Sequence, residues 1–452
     1  MAGRGANAGE GNEAGGASGV AFMLRALGHR NYRLFFSGQI VSLVGTWMTR
    51  VATSWLVYRL TGSALLLGVV GFAGQIPSFL LAPFAGVLVD RWDRHRLLLI
   101  TQVLSLLQSL ALALLALSGS ISIRHVIWLS VFQGVINAFD MPARQAFVVE
   151  MIERREDLPN AIALNSSMVN ASRLLGPSLG GVVIAAVGEG WCFLIDAVSY
   201  SAVIASLLLM KVARRAGVRA AGANVLGQLR EGFAYAARFA PIRKVLLLLA
   251  LVSLVGMPYT VLMPVFADEV LGGGPNTLGL LMAASGVGAL AGAVFLAARR
   301  SVLGLGKYIP LMAAAFGAGL VAFSFSRALW LSLPLMVVTG LGFMVQMAAS
   351  NTILQTIVDE DKRGRVMSFY TMAFMGTAPF GSLLAGAVAE RIGAPHTLLF
   401  GGLGCVAGAV WFGLSLPALR RDVRPIYVRI GILPEMAAGV QTTTELSVPP
   451  ET

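Results

Sequence analysis

Four polar side chains on one predicted helix could bind a small molecule or carry a proton. They are spaced at i, i+4, i+7 and i+11 and therefore share one helical face: Gln133, Asn137, Asp140 and Arg144. Asp140 and Arg144 lie one turn apart and can form an ion pair. Gln133 and Asn137 lie deeper in the apolar stretch, where their amides could hydrogen-bond a substrate.

Two arginines lie inside long apolar stretches, where an uncompensated charge is costly. Arg50 shares an approximate helical face with Gln39 and Thr46. It could attract an anionic or catecholate-like substrate, or it could form a structural ion pair, for which Asp196 is the candidate partner, or extend toward the membrane surface. Arg173 poses the same question. The sequence leaves both interpretations open for both arginines.

The second part of the chain has fewer polar side chains at comparable depth. Tyr259 and Gln346 lie in stretches that are otherwise mostly apolar. A lining of methionine, aromatic and aliphatic side chains suits bulky, partly hydrophobic cargo. Tyr259 and Gln346 therefore join the candidate substrate-binding residues.

The residues that usually ligate metals or act as nucleophiles are scattered along the chain: Cys192, Cys405, His29, His95, His125 and His396. They have no metal-ligand spacing, and they form no cluster of the kind that an intramembrane enzyme needs. The sequence also lacks G-x-x-x-x-G-K-[ST], so ATP is not the direct driver of any transport. We expect no metal, no cofactor and no enzymatic activity.

The elements that position these residues must lie in a membrane. The 452 residues are 56% hydrophobic and 12% charged, against about 25% charged in a soluble domain. Because hydrocarbon forces the backbone into helices, we predict an all-α integral membrane protein with twelve transmembrane helices, each about 20 residues or longer. The spans lie near residues 35–58, 67–89, 97–117, 125–143, 161–187, 190–210, 244–268, 275–298, 308–326, 328–350, 365–390 and 396–417.

The distribution of positive charge orients these spans. With the N-terminus inside, the inner segments hold 28 of the 34 lysine and arginine residues and the outer loops hold 4. The positive-inside rule then places both termini in the cytoplasm. The net charge of +12 is accordingly a topology signal, and we expect the partners to be the lipid bilayer and a small molecule, not a nucleic acid.

The longest inner loop divides the chain into two six-helix halves. After spans 4 and 10 the chain reads "ARQAFVVEMIERREDLPNAIALN" and "ASNTILQTIVDEDKRGRVMSFY", an internal repeat at an offset of roughly 200 residues. Two such halves are a transporter architecture with the substrate site between them. The segments are a disordered tail (1–24), the first half (25–210), a linker with a possible amphipathic helix (211–243), the second half (244–417) and a cytoplasmic tail (418–452).

Two motifs resemble signatures of the major facilitator superfamily of transporters. "GVLVDRWDRHR" is similar to the signature between spans 2 and 3, and "GPSLGG" is similar to the antiporter signature of span 5. The stretches "NYRLFFSGQIVSLVGTWM", "MPARQAFV" and "EDLPNAIALNSS" resemble the bacterial transmembrane secretion effectors, a subgroup that includes the enterobactin exporter. The resemblance covers about residues 25 to 420.

The resemblance implies roles for individual residues. The first signature and the polar face of span 4 imply a conformational latch on the cytoplasmic side: Gly86, Asp90, Arg91, Arg94, Asp140 and Arg144. Gly86 is expected to allow close helix packing. The antiporter motif comprises Gly176, Pro177, Gly180 and Gly181. Asp93 departs from the first signature, which has glycine there; it could pair with Arg91 or Arg96, or weaken the latch.

These observations predict a proton-coupled exporter of a small amphipathic molecule, such as a siderophore, drug or secondary metabolite, working by alternating access. It would act as a monomer in the bacterial inner membrane. Asp140 and Asp196 are the candidates for proton coupling, because they lie within spans. There are two alternatives. The protein could be an importer of a small anionic metabolite, or it could be a membrane receptor or assembly protein with this fold.

Overall fold

Twelve long helices form the protein in a computed structural model that describes residues 24–211, 234–299, 301–430 and 432. All twelve are long and apolar enough to cross a membrane, and each coincides with a predicted span. They are α1 (Arg30–Thr61), α2 (Ala64–Arg91), α3 (Arg94–Leu117), α4 (Ile123–Met151), α5 (Leu158–Val187), α6 (Glu189–Leu209), α7 (Ala240–Val270), α8 (Pro275–Ala297), α9 (Leu305–Phe325), α10 (Leu329–Ile357), α11 (Lys362–Ile392) and α12 (Ala394–Arg429).

Leu24 and Ile430 lie on the same side of the bundle, because the chain crosses it twelve times between them. We call this side the terminal face and the opposite side the loop face. The turns between helices are tight. Gly62, for example, ends α1 with a φ of 59° and donates its N–H to the Tyr58 carbonyl oxygen at 2.7 Å. Glycine adopts this left-handed backbone without steric cost.

Helices α7 and α11 contain wide π turns at mid-length, Val252–Gly256 and Met372–Gly376. In α7, the N–H of Met257 donates to the Val252 carbonyl oxygen, five residues back, at 3.0 Å. Pro258 follows immediately and has no N–H to continue the regular ladder. These wide turns interrupt two of the helices that meet the first half of the chain, and such interruptions are frequent at functional sites.

Packing divides the helices into two groups that follow the chain order. In the first half (α1–α6), α1 packs on α5 and α6, and α3 packs on α4 and α6. In the second half (α7–α12), α8 packs on α10, and α9 packs on α10 and α12. The main contacts between the halves are α2 with α11 and α5 with α8, an arrangement with approximate two-fold symmetry.

The predicted segment boundaries stay predictions. Residues 1–23, 212–233 and 433–452 lie outside the described residues, and these include most of the predicted tails and linker. Of the possible amphipathic helix, only residues 234–239 are described, and 234–238 are helical. Helix α12 continues to Arg429, past residue 417 where its predicted span ends.

Candidate functional site

The two halves meet through pairs of glycines near the loop face. A Cβ atom at Gly279 of α8 would lie 2.8 Å from the Pro177 carbonyl oxygen and 2.9 Å from Gly181 Cα of α5. Both distances are shorter than ordinary van der Waals contact, so the two backbones touch directly. Pro177 and Gly181 belong to the predicted antiporter motif, which therefore forms one of the contacts between the halves.

A second glycine pair joins α2 to α11 in the symmetry-related position. A Cβ at Gly386 would lie 2.6 Å from the Ala64 carbonyl oxygen and 2.9 Å from Gly68 Cα. Small residues of this kind allow helices in a membrane to approach closely. The two glycine pairs close the space between the halves toward the loop face.

Carboxylates reinforce this closure at the loop face. The Tyr58 hydroxyl of α1 donates to Glu269 Oε1 of α7 at 2.6 Å. Glu390 of α11 accepts hydrogen bonds from the Ser63 hydroxyl at 3.0 Å and from the Leu65 N–H at 3.1 Å, at the beginning of α2. Each contact joins the two halves. These residues are not predicted as a gate from the sequence, because the sequence shows only that they are polar and lie at the ends of spans.

On the terminal-face side of these contacts lies a cavity of about 520 Å³ between α2, α7 and α11. Its lining is almost entirely apolar and includes Phe79, Leu246, Phe369, Met372 and Phe380, with Arg243 as the charged member. Across the loop-face end of this cavity, the Phe380 ring contacts Phe79 and Phe72 at centroid distances of 6.3 and 5.8 Å. The halves are therefore in contact toward the loop face and separated by a cavity toward the terminal face.

Trp47 of α1 contacts both of the arginines that the sequence singled out. The guanidinium carbon of Arg50 lies 4.5 Å from the centroid of the Trp47 ring, and that of Arg173 lies 5.1 Å from it. Both contacts are cation–π interactions. The structure therefore brings Arg50 of α1 and Arg173 of α5 together around one aromatic ring, which the sequence alone could not show.

Among the described residues Asp196 of α6 forms no ion pair with Arg50, so of the alternatives that the sequence left open, the ion pair with Asp196 is not made in this structure. Asp196 Oδ2 accepts hydrogen bonds from the Thr49 hydroxyl at 2.9 Å and from the Ser109 hydroxyl at 2.7 Å. Its Oδ1 has no hydrogen-bond partner in the described part of the chain. The reason lies in helix rotation: Thr49 faces α6, whereas Arg50, one residue on, points about 100° away.

Two of the other predicted cavity residues, Gln133 and Asn137, are bonded to each other. Gln133 donates to Asn137 Oδ1 at 3.2 Å and to the Ser105 hydroxyl at 3.3 Å. On α1, Thr46 donates to the Ser42 carbonyl oxygen at 3.0 Å, and Gln39 is 2% exposed. Polar side chains of α3 and α4 thus bond each other inside the first half.

In the second half, the Tyr259 hydroxyl lies 2.7 Å from the Ser285 hydroxyl, and Tyr259 is close enough to Arg173 to interact with it electrostatically. Gln346 is 0% exposed, and its amide lies 3.5 Å from the Ser350 hydroxyl. In this conformation Gln346 therefore packs inside the second half, and its role in substrate binding stays a prediction.

The predicted latch residues that are described make their contacts within the first half. Asp140 pairs with Arg144 and also accepts hydrogen bonds from the Thr101 hydroxyl at 2.8 Å and the Gln102 amide at 2.7 Å. Arg94 pairs with Glu150 of α4 at 2.6 Å. Asp140 is thus tied to α3 and α4, and the turn after α2 is tied to the end of α4.

Among the described residues, Arg91 and Gly86 take no part in these contacts. The side chain of Asp90 lies outside the described part of the structure. Arg91 is exposed. A Cβ at Gly86 would have no heavy atom within 4 Å, so the expected close helix contact at Gly86 is not made in this conformation.

Asp93, which departs from the family signature, begins α3. Its side chain accepts a hydrogen bond from the Arg96 N–H at 3.1 Å, and its other oxygen lies 3.7 Å from the Arg96 guanidinium. This is an N-cap, the position where aspartate is among the preferred residues. The expected local pairing with Arg96 is therefore present.

Each of the repeated acidic loops contacts a residue that precedes the first helix of its own half, and the second loop also contacts the end of α12. Before α5, Asp157 pairs with Arg25 at 2.9 Å and with His29 at 3.0 Å. Before α11, Asp359 pairs with Arg429 at 2.9 Å and accepts a hydrogen bond from Tyr235 at 3.3 Å. The internal repeat that the sequence shows thus has a shared structural role on the terminal face.

The charge around Asp359 sets its acidity. Partial burial acts to raise the pKa of the Asp359 carboxyl, but the hydrogen bond and charge of Arg429, with the charge of Lys362, outweigh it and lower the pKa. Asp359 is accordingly ionised at neutral pH. The contact between the loop before α11 and the end of α12 is therefore charge-assisted.

Two six-helix halves that touch toward one face, with an open cavity at their junction toward the other, are the architecture of a major facilitator-type transporter. Solved structures share it: a bacterial homolog of the human lysosomal transporter Spinster (TM-score 0.68, 14% identity, 87% of this chain and 98% of that one) and a mutant of the nucleoside transporter NupG (TM-score 0.65, 13% identity, 86% and 99%). The chain belongs to the transmembrane secretion effector family, whose sequence profile matches residues 23–427.

Similar curated proteins are transporters of small molecules. The staphyloferrin A transporter of Staphylococcus aureus (strain NCTC 8325 / PS 47) is 26% identical over 84% of this chain and 95% of its own length. The multidrug efflux pump Tap of Mycolicibacterium fortuitum is 30% identical over 85% and 92%, and macrolide efflux protein A of Streptococcus pyogenes is 24% identical over 83% and 94%. The prediction of a multi-pass membrane transporter that exports small molecules is confirmed.

Proposed function

We propose that this protein is a proton-coupled exporter of a small amphipathic molecule in the bacterial inner membrane. The observation that carries this proposal is the position of the antiporter motif. Gly181 packs against Gly279 across the halves, while a Cβ at Gly180 would lie 3.3 Å from Met48 Cα of α1. The motif therefore lies where α1, α5 and α8 meet, and any opening of the loop face must separate α8 from it.

The orientation follows from the charge distribution. The terminal face carries most of the lysine and arginine residues, and the positive-inside rule makes it the cytoplasmic face. The apolar cavity between α2, α7 and α11 then lies on the cytoplasmic side of the closed contacts. In this conformation an exporter would take up partly hydrophobic cargo from the cytoplasm and release it after the loop-face contacts open.

Asp196 is the best candidate for the proton-carrying group. It is 2% exposed, and no described cation forms an ion pair with it. Asp140, the other candidate, is paired with Arg144. A carboxylate held by two hydroxyls can take up or lose a proton without leaving an arginine unpaired.

Proton release on addition of cargo would test this function. In everted membrane vesicles with an acidified lumen, a proton-coupled exporter releases protons when cargo is added outside the vesicle. Erythromycin and staphyloferrin A are suitable first probes, together with extracts of the growth medium fractionated by size. We expect the lumenal pH to rise in wild-type vesicles. In vesicles that lack the protein, it should not change.

The same vesicles test the competing functions. An importer would show the opposite direction of cargo movement, with uptake into intact cells. A receptor or assembly protein would give no cargo-dependent proton movement, and the medium of cells with and without the protein would contain the same metabolites. Either result would contradict the proposal.

A further inference from the structure

Arg50 and Arg173 present two positive charges to one site without a matching carboxylate. Among the described residues, no aspartate or glutamate forms an ion pair with either arginine. Asp196, the buried acid that the sequence suggested, is held by hydroxyl groups of Thr49 and Ser109. The other charged or phenolic groups that interact with them are Tyr200 for Arg50 and Tyr259 for Arg173.

The contacts with Trp47 limit the distance between the two guanidinium groups. Because both guanidinium carbons contact the same Trp47 ring, at 4.5 and 5.1 Å from its centroid, they are at most about 10 Å apart. Two like charges at this separation repel each other inside a protein. The cation–π contacts with Trp47 offset only part of the cost of holding them at membrane depth.

The site lies where α1 and α5 pack together in the first half, and α5 also packs on α8 of the second half. A Cβ at Gly176 would lie 2.9 Å from the Val44 carbonyl oxygen, so α5 packs tightly on the turn of α1 that holds Trp47. On the other side of α5, a Cβ at Gly286 of α8 would lie 3.2 Å from the Arg173 carbonyl oxygen. Arg50 keeps an exposed surface, and Arg173 is partly buried.

We propose that Arg50 and Arg173 form a subsite for an organic dicarboxylate, with one carboxylate held by each guanidinium. Trp47 positions both arginines, since its ring contacts each guanidinium. Guanidinium groups bind carboxylates through paired N–H···O hydrogen bonds, and a dianion compensates both charges at once. This inference rests on the proposed transport function and specifies the charge class of its cargo.

Binding to the purified protein in lipid nanodiscs tests the subsite. The probes are succinate, phthalate and terephthalate, each compared with its neutral diamide and titrated calorimetrically. We expect at least one dicarboxylate to bind, its diamide to bind at least about tenfold more weakly, and the affinity for the dianion to fall as salt is added.

Substitution shows whether the two arginines are responsible. Arg50→Gln and Arg173→Gln should each weaken dicarboxylate binding by about tenfold or more, and Arg50→Lys should restore part of it. Arg59→Gln is the matched control, because Arg59 lies on the same helix but pairs with Glu189 at 2.7 Å. It should leave binding unchanged.

Thermal unfolding without ligand separates a binding role from a structural one. If the arginines serve a ligand, neutralising either should leave the melting temperature unchanged or raise it, because an uncompensated charge is removed. A fall in melting temperature for both glutamine variants, with unchanged dicarboxylate affinity, would overturn the subsite. So would the absence of binding by all three dicarboxylates.

The vesicle assay distinguishes a failure of the dicarboxylate subsite from a failure of the proposed transport function. If wild-type vesicles export cargo and the glutamine variants export a dicarboxylate equally well, the subsite is wrong and the transport function stands. If wild-type protein binds a dicarboxylate through both arginines but vesicles move no compound, the transport function is wrong and the subsite stands.

Discussion

Glu390, near the end of α11, caps the beginning of α2. Its carboxylate accepts hydrogen bonds from the Ser63 hydroxyl and the Leu65 N–H at 3.0 and 3.1 Å. A carboxylate at a helix N-terminus is stabilised by the unsatisfied N–H groups and by the helix dipole. Because Glu390 and α2 belong to different halves, this contact is made only when the loop face is closed.

Glu390→Gln should shift the protein toward conformations with an open loop face. Loss of one charge-assisted contact amounts to about 1 kcal/mol, or roughly a fivefold change in the ratio of closed to open molecules. Distances between spin labels on the loop-face ends of α2 and α11 measure this ratio. Glu189→Gln is the control, because Glu189 pairs with Arg59 inside the first half; an equal shift in both variants would contradict the gating role of Glu390.

Gly279→Ala should prevent full closure of the loop face. The added methyl group would lie 2.8 Å from the Pro177 carbonyl oxygen and 2.9 Å from Gly181 Cα, which are backbone atoms that can move only if the helices separate. Cysteine cross-linking between α5 and α8 should become several times slower, and export should fall. Gly364→Ala serves as the control, since a Cβ there meets no atom within 4 Å. Normal cross-linking of the Gly279→Ala protein would show that the contact is dispensable.

Hydropathy and charge were sufficient to predict the helices, but not the partners of individual side chains. Each of the twelve spans is long and apolar, so its existence follows from composition. The pairing of Arg50 depends on the rotation of α1 about its axis, which places Thr49 and not Arg50 toward Asp196. Likewise, the sequence marked Gly181 within a motif but could not identify Gly279 as its partner, because helix neighbours are set by tertiary packing.

The predicted latch also shows that a sequence does not reveal which side-chain contacts are made in a given structure. Its residues were predicted by resemblance, and the Arg94–Glu150 pair places an arginine of the signature against an acid of α4, as that resemblance implied. The contact expected at Gly86 is missing here. A transporter has more than one conformation, and one sequence encodes contacts that are not all made at the same time.

Asp93→Ala should lower the stability of the turn between α2 and α3, whereas Asp93→Gly should be nearly neutral. Loss of an N-cap hydrogen bond to alanine costs about 1 kcal/mol, while glycine costs a few tenths. The melting temperature in detergent measures the difference. Asp93→Gly also restores the family signature, so if Asp93 weakens the latch, this variant should change the transport rate; an unchanged rate would leave capping as its role.

Acidification should release the contact between Asp359 and Arg429. Because the pKa of Asp359 is lowered in the folded protein, the stabilisation from its charged form is present at neutral pH and is lost as the pH falls through that lowered value. Relative to the intrinsic exchange rate at each pH, the amides at the end of α12 should then be less protected from hydrogen exchange in acid. In Arg429→Gln this protection should already be low at neutral pH and should not fall further in acid. Retained pH dependence in that variant would mean that another group controls the α12 end.

Asp196→Asn should abolish proton coupling while leaving the helix packing intact. Asparagine keeps an oxygen that can accept from Thr49 and Ser109, which bond Asp196 at 2.9 and 2.7 Å, but its amide cannot carry a proton. Gradient-driven export in vesicles should fall to about a tenth or less, whereas exchange of labelled for unlabelled cargo without a gradient should persist. Asp140→Asn is the comparison: it leaves Arg144 without its carboxylate, so it should impair both reactions. If Asp196→Asn retained gradient-driven export, the proton would have to be carried elsewhere.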